Sequence, residues 1–333
     1  MLYYKELDKM IFEMQGHLAS SNNIVIVSGY VGYQTIKRLG EICNDIHITI
    51  IYGMYGSDSI SLPLHEALKE VQAQYKNIEI LYSTIPVHSK IYTWNCNHRI
   101  EKALIGSANF SINGLKNDYK EVLADVDDQT FFELRDYCNF ILSKAINCND
   151  SSVRFKSVRK SKNIKKTRTV RDNGVFRATL LDSKGLVPKK SGINWGLSSG
   201  HVSEGDAYIR ITVHDIKAYP GLFPPKKYFG IENPLSSGRK NRENDEVELI
   251  WDDGEKMIGL LEGQQSKTIN GLVYPKQLST SPQKSILGKY LRKRLGVDLN
   301  HTITKADLKR YGRDYIDISL IGEGIYYMDF SVK

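Results

Sequence analysis

The residues best suited to chemistry fall between Val87 and Glu121. His88 and Lys90 stand two apart, Asn109 closes a Gly106-Ser107-Ala108-Asn109 turn, and Glu121 opens the apolar run that follows. In a β-strand, residues i and i+2 share a face, so a strand from Val87 to Trp94 would send His88 and Lys90 into one pocket. An imidazole nucleophile beside a fixed ammonium suits reactions at phosphate.

The surrounding sequence must supply the frame for these groups. Tyr3 to Ala19 reads as a helix with Leu7, Met10, Ile11, Met14 and Leu18 on one stripe, and NIVIVSGY from Asn23 to Tyr30 reads as a buried strand. Helices at Gln34 to Ile42 and Leu62 to Tyr75 then alternate with strands at His47 to Tyr52 and Asn77 to Tyr82. This order predicts an α/β domain with a largely parallel sheet. Further strands are expected at Val87 to Trp94, Ile100 to Ile105 and Tyr119 to Val126, and a helix from Gln129 to about Ile146. Gly29-Tyr30 and the Tyr52 to Gly56 segment fall at the carboxyl ends of strands, where open α/β sheets place ligands; plain exit turns would look the same.

Beyond residue 150 the composition changes. Arg154, Lys156, Arg159, Lys160, Lys162, Lys165, Lys166, Arg168 and Arg171 form an acid-free run that reads as an exposed linker. The remainder is richer in short strands, at Val175 to Leu181, Ala207 to Val213, Glu246 to Ile250, Lys256 to Leu261, Tyr315 to Ile321 and Ile325 to Phe330. Two helices stand out, Ser285 to Leu295 and Lys305 to Tyr311, the second capped by Thr304. Asp253-Gly254 and Glu323-Gly324 look like hairpin turns, and Pro220 to Arg242 like an extended loop. The expected fold is thus an α/β domain over 1–150, a basic linker over 151–174, and a β-rich barrel or sandwich over 175–333.

Charge divides along the same line. Residues 1–150 carry 13 Lys+Arg against 18 Asp+Glu, whereas residues 151–333 carry 33 against 20. Capture of a polyanion is therefore expected mainly of the second half, although a solvated basic surface would have the same composition. No apolar run approaches a membrane span and no secretory leader is evident, which points to the cytoplasm. Cys43, Cys96, Cys138 and Cys148 are scattered and predict neither a zinc site nor a disulfide framework. The other histidines, His17, His47, His65, His98, His201, His214 and His301, share no spacing and read as structural or surface residues.

His88-Ser89-Lys90 followed by Gly106-Ser107-Ala108-Asn109 resembles the HxK…GSxN signature of the phospholipase D superfamily. The fuller pattern has an Asp five residues after the Lys, where this chain has Asn95; nucleases of the superfamily often lack that Asp and carry a later carboxylate, the position of Glu121. On this resemblance Lys90, the Asn109 amide and Ser107 would neutralise the phosphate oxygens. His88 would attack phosphorus, and Glu121 would hold its other ring nitrogen. The resemblance implies two such motifs per active site, yet His88-Ser89-Lys90 is the single His-x-Lys of the chain. It thus implies a homodimer through the nuclease domain, and with Lys90 supplying the positive charge, no metal and no cofactor.

The second half narrows the partner. Segments at Lys189 to Gly196, Asp206 to Ile209, Gln264-Gln265, Ser285 to Leu291, Thr304 to Arg313 and Tyr326 to Phe330 resemble the C-terminal part of NgoFVII-type restriction endonucleases. In that family a phospholipase-D-like nuclease is fused to a pseudobarrel similar to plant B-three transcription factors, whose two arms enter the major groove. That implies double-stranded DNA as substrate, within a restriction-modification system having a cognate methyltransferase. Base-edge chemistry then nominates Lys189, Lys190, Ser191, Asn194 and Trp195 for one arm, Lys305, Asp307, Arg310, Tyr311 and Arg313 for the other, and Gln264 and Gln265 between them. Lys289, Arg292, Lys293 and Arg294 form a basic stripe on their helix that reads as solvated or as a phosphate contact. Rival readings are a DNA-binding subunit silent until a separate ATPase or translocase acts, and a phospholipid-processing enzyme.

Overall fold

A computed structural model describes residues 1–13, 21–97, 99–156, 174–200, 202–226 and 244–332. The chain divides into two compact units, one built mainly from Met1–Val158 and the other mainly from Arg159–Leu320 with Gly324–Lys333.

The first unit contains β1 (Leu2–Tyr3), β2 (Asn23–Ser28), β3 (His47–Tyr52), β4 (Ile60–Ser61), β5 (Ile78–Ser83), β6 (Ile91–Cys96), β7 (Arg99–Gly106), β8 (Leu123–Asp125), β9 (Ala145–Asn147) and β10 (Phe155–Lys156). Eight of them form one sheet in the order β1-β8-β7-β6-β2-β3-β5-β9. Only β2, β3 and β5 run parallel, with Ile26 opposite Ile50 and Ile50 opposite Ile80. The remaining neighbours are antiparallel, so the largely parallel sheet expected from the sequence is instead mixed. The cause lies in the connections: helices bridge the parallel strands, while β6 meets β7 through a tight turn that can only reverse direction.

The helices are α1 (Leu7–Glu13), α2 (Tyr33–Ile42), α3 (Tyr55–Asp58), α4 (Leu62–Gln74), α5 (Ile112–Leu115) and α6 (Phe131–Leu142). Burial on α2 follows the helical period through Tyr33, Ile36, Leu39 and Gly40. Cys138 and Ile141 of α6 pack on Val27, Ile51, Leu81, Val87 and Ile91, so this helix backs the strands that lead to His88. Cys43, Cys138 and Cys148 are buried free thiols, and burial pushes each up to about 11.

The second unit contains β11 (Phe176–Thr179), β12 (Ile209–Arg210), β13 (Asp245–Trp251), β14 (Lys256–Glu262), β15 (Gln277–Ser281), β16 (Tyr315–Gly322) and β17 (Ile325–Asp329). They form one nearly closed sheet in the order β11-β16-β17-β13-β14-β15-β12. Its helices are α7 (Val213–Ala218), α8 (Ser285–Leu295) and α9 (Lys305–Tyr311). Trp251, Phe223, Phe330, Leu287, Leu291 and Leu308 fill the interior, consistent with the expected β-rich pseudobarrel.

Several expected elements differ. The first helix is shorter at its start, because Leu2 and Tyr3 pair with Ala124 and Leu123 as a strand. The strand expected from Tyr119 contracts to Leu123–Asp125, and the helix expected to reach Ile146 ends at Leu142, since Ala145–Asn147 pairs with β5. Helix α7 occupies the end of an expected strand; Thr212 and Asp215 close a reciprocal capping box there. The expected positions of Met14, Leu18, His17, His98 and His201, most of the basic run, and the greater part of the Pro220 to Arg242 loop lie outside the described residues. No described helix is long and apolar enough to cross a membrane.

Candidate active site and DNA-reading residues

His88 and Lys90 do not lie within a strand; β6 begins only at Ile91. They occupy the segment before it, held by a hydrogen bond from the Val87 amide to the Gly53 carbonyl at 3.0 Å and from the Gly106 amide to the Lys90 carbonyl at 3.2 Å. Gly53 makes the first contact possible, because a Cβ there would stand 2.1 Å from the Val87 carbonyl oxygen.

The His88 side chain is exposed, whereas Lys90 is 5 % exposed. The Lys90 Nζ stands 3.0 Å from Nδ1 and 3.2 Å from Nε2 of His88, and donates to the His88 carbonyl at 2.6 Å. In-plane lone pairs on the two ring nitrogens diverge, so a nitrogen at these distances from both sits over the imidazole face. Burial lowers the Lys90 pKa, and the Glu323 and, to a smaller extent, Glu121 carboxylates act in the opposite sense.

Asn109 completes the cluster from the end of the β7 turn. Its Oδ1 accepts from the Tyr30 amide at 3.2 Å. The three side chains converge on Gly29: a Cβ there would lie 3.1 Å from His88 Cδ2, 3.3 Å from Asn109 Oδ1 and 3.4 Å from Lys90 Nζ. Gly29→Ala is therefore expected to displace the imidazole and slow turnover by about tenfold or more with little loss of stability, read by comparing cleavage rate with urea unfolding.

Ser107 and Glu121 are placed differently from these three. Ser107 Oγ accepts from the Val122 amide at 3.1 Å, which ties the turn to the approach of β8 and leaves the hydroxyl proton free. Glu121 lies in the bend before β8, and no hydrogen bond joins it to His88. Tyr30, which was not among the residues nominated from the sequence, stands beside this cluster. Its ring meets His88 edge-on at 6.3 Å, its hydroxyl donates to Asp58 at 2.8 Å, and burial pushes its pKa up to about 12. The signal available was the position of Gly29-Tyr30 at a strand's carboxyl end.

In the second unit the nominated readers separate by burial and by internal bonding. Lys189, Lys190, Gln264, Lys305 and Arg310 are exposed, and Ser191 and Trp195 half-buried. Trp195 packs against Tyr208 with Lys284 over its ring. Five others are engaged internally. Gln265 donates to the Ile211 and Pro275 carbonyls. Asp307 caps α9 and pairs with His301 and Arg310, contacts that hold its carboxyl far below the usual range. Tyr311 donates to the Phe330 carbonyl. Arg313 is buried between Asp317 and Asp329. On α8, Arg292 is buried and Arg294 is paired with Asp252 and Asp253, which leaves Lys289 and Lys293 as the exposed cations of the expected stripe.

Asn194 is fully buried. It donates to the Pro188 carbonyl at 3.0 Å and the Ile303 carbonyl at 2.8 Å, and accepts from the Ile303 amide at 2.9 Å. It thus ties the segment carrying Lys189 and Lys190 to the one leading into Lys305. Asn194→Ala strands those groups and is expected to destabilise the second unit by at least about 2 kcal/mol in urea unfolding.

No curated protein sequence matches the chain. Among solved structures, NucT from Helicobacter pylori is 16% identical over 44% of this chain and 97% of its own, with a TM-score of 0.33. Polyphosphate kinase from Porphyromonas gingivalis is 17% identical over 46% of this chain and 24% of its own (TM-score 0.31). Nuc from Salmonella typhimurium, a phospholipase D family member, is 11% identical over 42% and 88% (TM-score 0.29). Family membership rests on other ground. The model for the NgoFVII restriction endonuclease N-terminal PLD domain matches residues 5–155, which hold the His88, Lys90 and Asn109 cluster, and that for the C-terminal B3-like DNA-binding domain matches 176–322. With both halves of one architecture present in order, the chain belongs to the NgoFVII restriction endonuclease family, a phospholipase-D-type nuclease domain followed by a B3-like DNA-binding domain.

Proposed function

We propose that this protein is a type II, site-specific restriction endonuclease that hydrolyses DNA phosphodiesters without a metal, through a phosphohistidine, in an active site shared by two copies. The observation that carries this reading is the exposed His88 imidazole set against the buried Lys90 ammonium at 3.0 Å, with Asn109 converging on the same glycine. A phosphodiester anion repels nucleophiles until its oxygens are neutralised. Lys90 supplies that charge, and the Asn109 Nδ2 and the Ser107 hydroxyl supply donors.

A neutral ring nitrogen of His88 then forms a bond to phosphorus as the P–O bond to one DNA end breaks. The departing oxygen needs a proton, and the chain carries one His-x-Lys, so His88 of a second copy serves as acid. It next accepts a proton from water, which attacks phosphorus, breaks the P–N bond and leaves a phosphate on the other end. Glu121 acts on this cluster through its charge, orienting the imidazole once substrate is bound.

In this reading residues 1–150 form the nuclease, 151–174 the linker and 175–333 the reader. Lys189, Lys190, Ser191, Trp195, Gln264, Lys305 and Arg310 are the side chains positioned to contact DNA, and Asn194, Gln265, Asp307, Tyr311 and Arg313 hold their segments. A cognate methyltransferase protecting host sites is the partner this activity calls for. The test is to incubate the purified protein alone with a random duplex library in EDTA and sequence the ends. Ends sharing one flanking sequence support the proposal; cutting that requires a divalent metal or an added ATPase subunit refutes it.

A further inference from the structure

We propose that Ser28, at the end of β2, is a positioning residue for phosphodiester cleavage that fixes which face of the Asn109 amide meets the phosphate; this rests on the phosphoryl-transfer reading above. Ser28 is fully buried in a strand that is otherwise apolar from Ile24 to Val27. A buried hydroxyl is costly unless its hydrogen bonds are made. Those of Ser28 are made to two segments that flank the site: Oγ donates to the Tyr30 carbonyl at 2.6 Å and accepts from the Phe110 amide at 2.9 Å. Its one proton is thereby used, so the 3.4 Å approach of Oγ to Asn109 Oδ1 is a close contact.

The orientation of Asn109 follows from this clamp. The Tyr30 amide can only donate, so the Asn109 atom facing it at 3.2 Å must be the carbonyl oxygen. The amide nitrogen is then turned away from the β2 exit, where it donates to the Glu323 carboxylate, an anion whose place a phosphate oxygen would take. A flipped amide would present a lone pair to the phosphate and repel it. With a phosphate in the place of the Glu323 carboxylate, the Tyr30 amide is what opposes the flip, and Ser28 sets its position by holding the Tyr30 carbonyl on one side and the Phe110 amide on the other. The Gly32 amide donates to the Phe110 carbonyl at 2.9 Å, which extends the same seam.

Ser28→Ala removes the clamp while every side chain that touches substrate keeps its chemical identity. Single-turnover cleavage of a duplex carrying the site found by end sequencing, with DNA affinity and thermal melting measured alongside, is compared for wild type, Ser28→Ala, Asn109→Ala and the double variant. Ser28→Ala is expected to slow cleavage by about 10- to 100-fold with affinity unchanged, and Asn109→Ala by about 10²- to 10³-fold. The double variant should match Asn109→Ala within about threefold, because a residue that acts through Asn109 has nothing left to position. Ser28→Thr, which keeps the hydroxyl, should recover most of the rate. If Ser28→Ala melts before assay, Ser28→Cys keeps the shape with a weaker donor and takes its place. Losses that multiply in the double variant, or wild-type cleavage by Ser28→Ala, overturn the inference. Asn109→Ala cleaving at the wild-type rate would instead sink the phosphoryl-transfer reading itself.

Discussion

His88→Ala is expected to lower DNA cleavage by more than about 10³-fold while specific DNA binding stays within about twofold of wild type. The asymmetry follows from the architecture. His88 is exposed in the segment before β6 and is not among the buried residues of its unit's core, so its loss should not unfold the nuclease. Binding belongs to the B3-like domain, which has its own core. Mixing wild-type and His88→Ala chains sharpens the prediction. If each site draws on two copies of His88, mixed dimers lose the acid or the nucleophile, and activity should fall more steeply than the fraction of variant chains. A strictly linear decline would favour sites complete within one chain.

Lys90→Met is expected to slow cleavage by about 10²- to 10³-fold, through loss of the charge that meets the phosphate oxygens. Methionine keeps the length and apolar stem of the buried side chain, so the effect should lie in the rate. The sign of the stability change distinguishes this from simple misfolding. Burial depresses the folded-state pKa of Lys90, which means that its charged form is disfavoured by folding wherever the ammonium persists. Removing that ammonium relieves the cost, offset by the lost bond to the His88 carbonyl, so urea unfolding near neutral pH should show stability unchanged or raised. The wild-type enzyme should also lose activity as pH rises through the depressed Lys90 pKa, on an alkaline limb below the ordinary lysine range. In Lys90→Met the residual activity should lack that limb. Equal losses of stability and rate, or an unshifted limb in the variant, would contradict the role assigned to Lys90.

Much of the frame was legible because local signals coincide with tertiary demands. The run HITIIY reads as a buried strand and forms an interior strand of the sheet as β3; Thr304 and Asp307 mark the start of α9, and the apolar spacing of SILGKYLRKRL marks α8. What failed did so for identifiable reasons. Strand β15, with sequence QLSTS, was missed because serine and threonine replace its apolar alternation, although Ser279 and Thr280 are buried. A strand was expected at His88 and Lys90 because the sequence character of β6 runs on into the segment before it, where no ladder forms. Asn194, Gln265, Asp307, Tyr311 and Arg313 carry the donors and acceptors that read bases, and those same atoms serve equally well inside a domain. The choice depends on burial, which pattern alone cannot assign to single polar residues. Arg313 pairs with Asp317 one helical turn's distance along the sequence but across an irregular bend into β16, and with Asp329 on another strand.

The central claim is that cleavage passes through a covalent bond between His88 and DNA phosphorus. Its most direct test is to mix purified protein with end-labelled cognate duplex in EDTA, quench in alkali on the millisecond-to-second scale, and resolve protein from DNA under denaturing conditions. The expected result is a transient protein–DNA adduct that maps by peptide mass to the segment holding His88, decays as product appears, and is missing from His88→Ala. Product forming in EDTA with no adduct at any time, or an adduct on another residue, would contradict it.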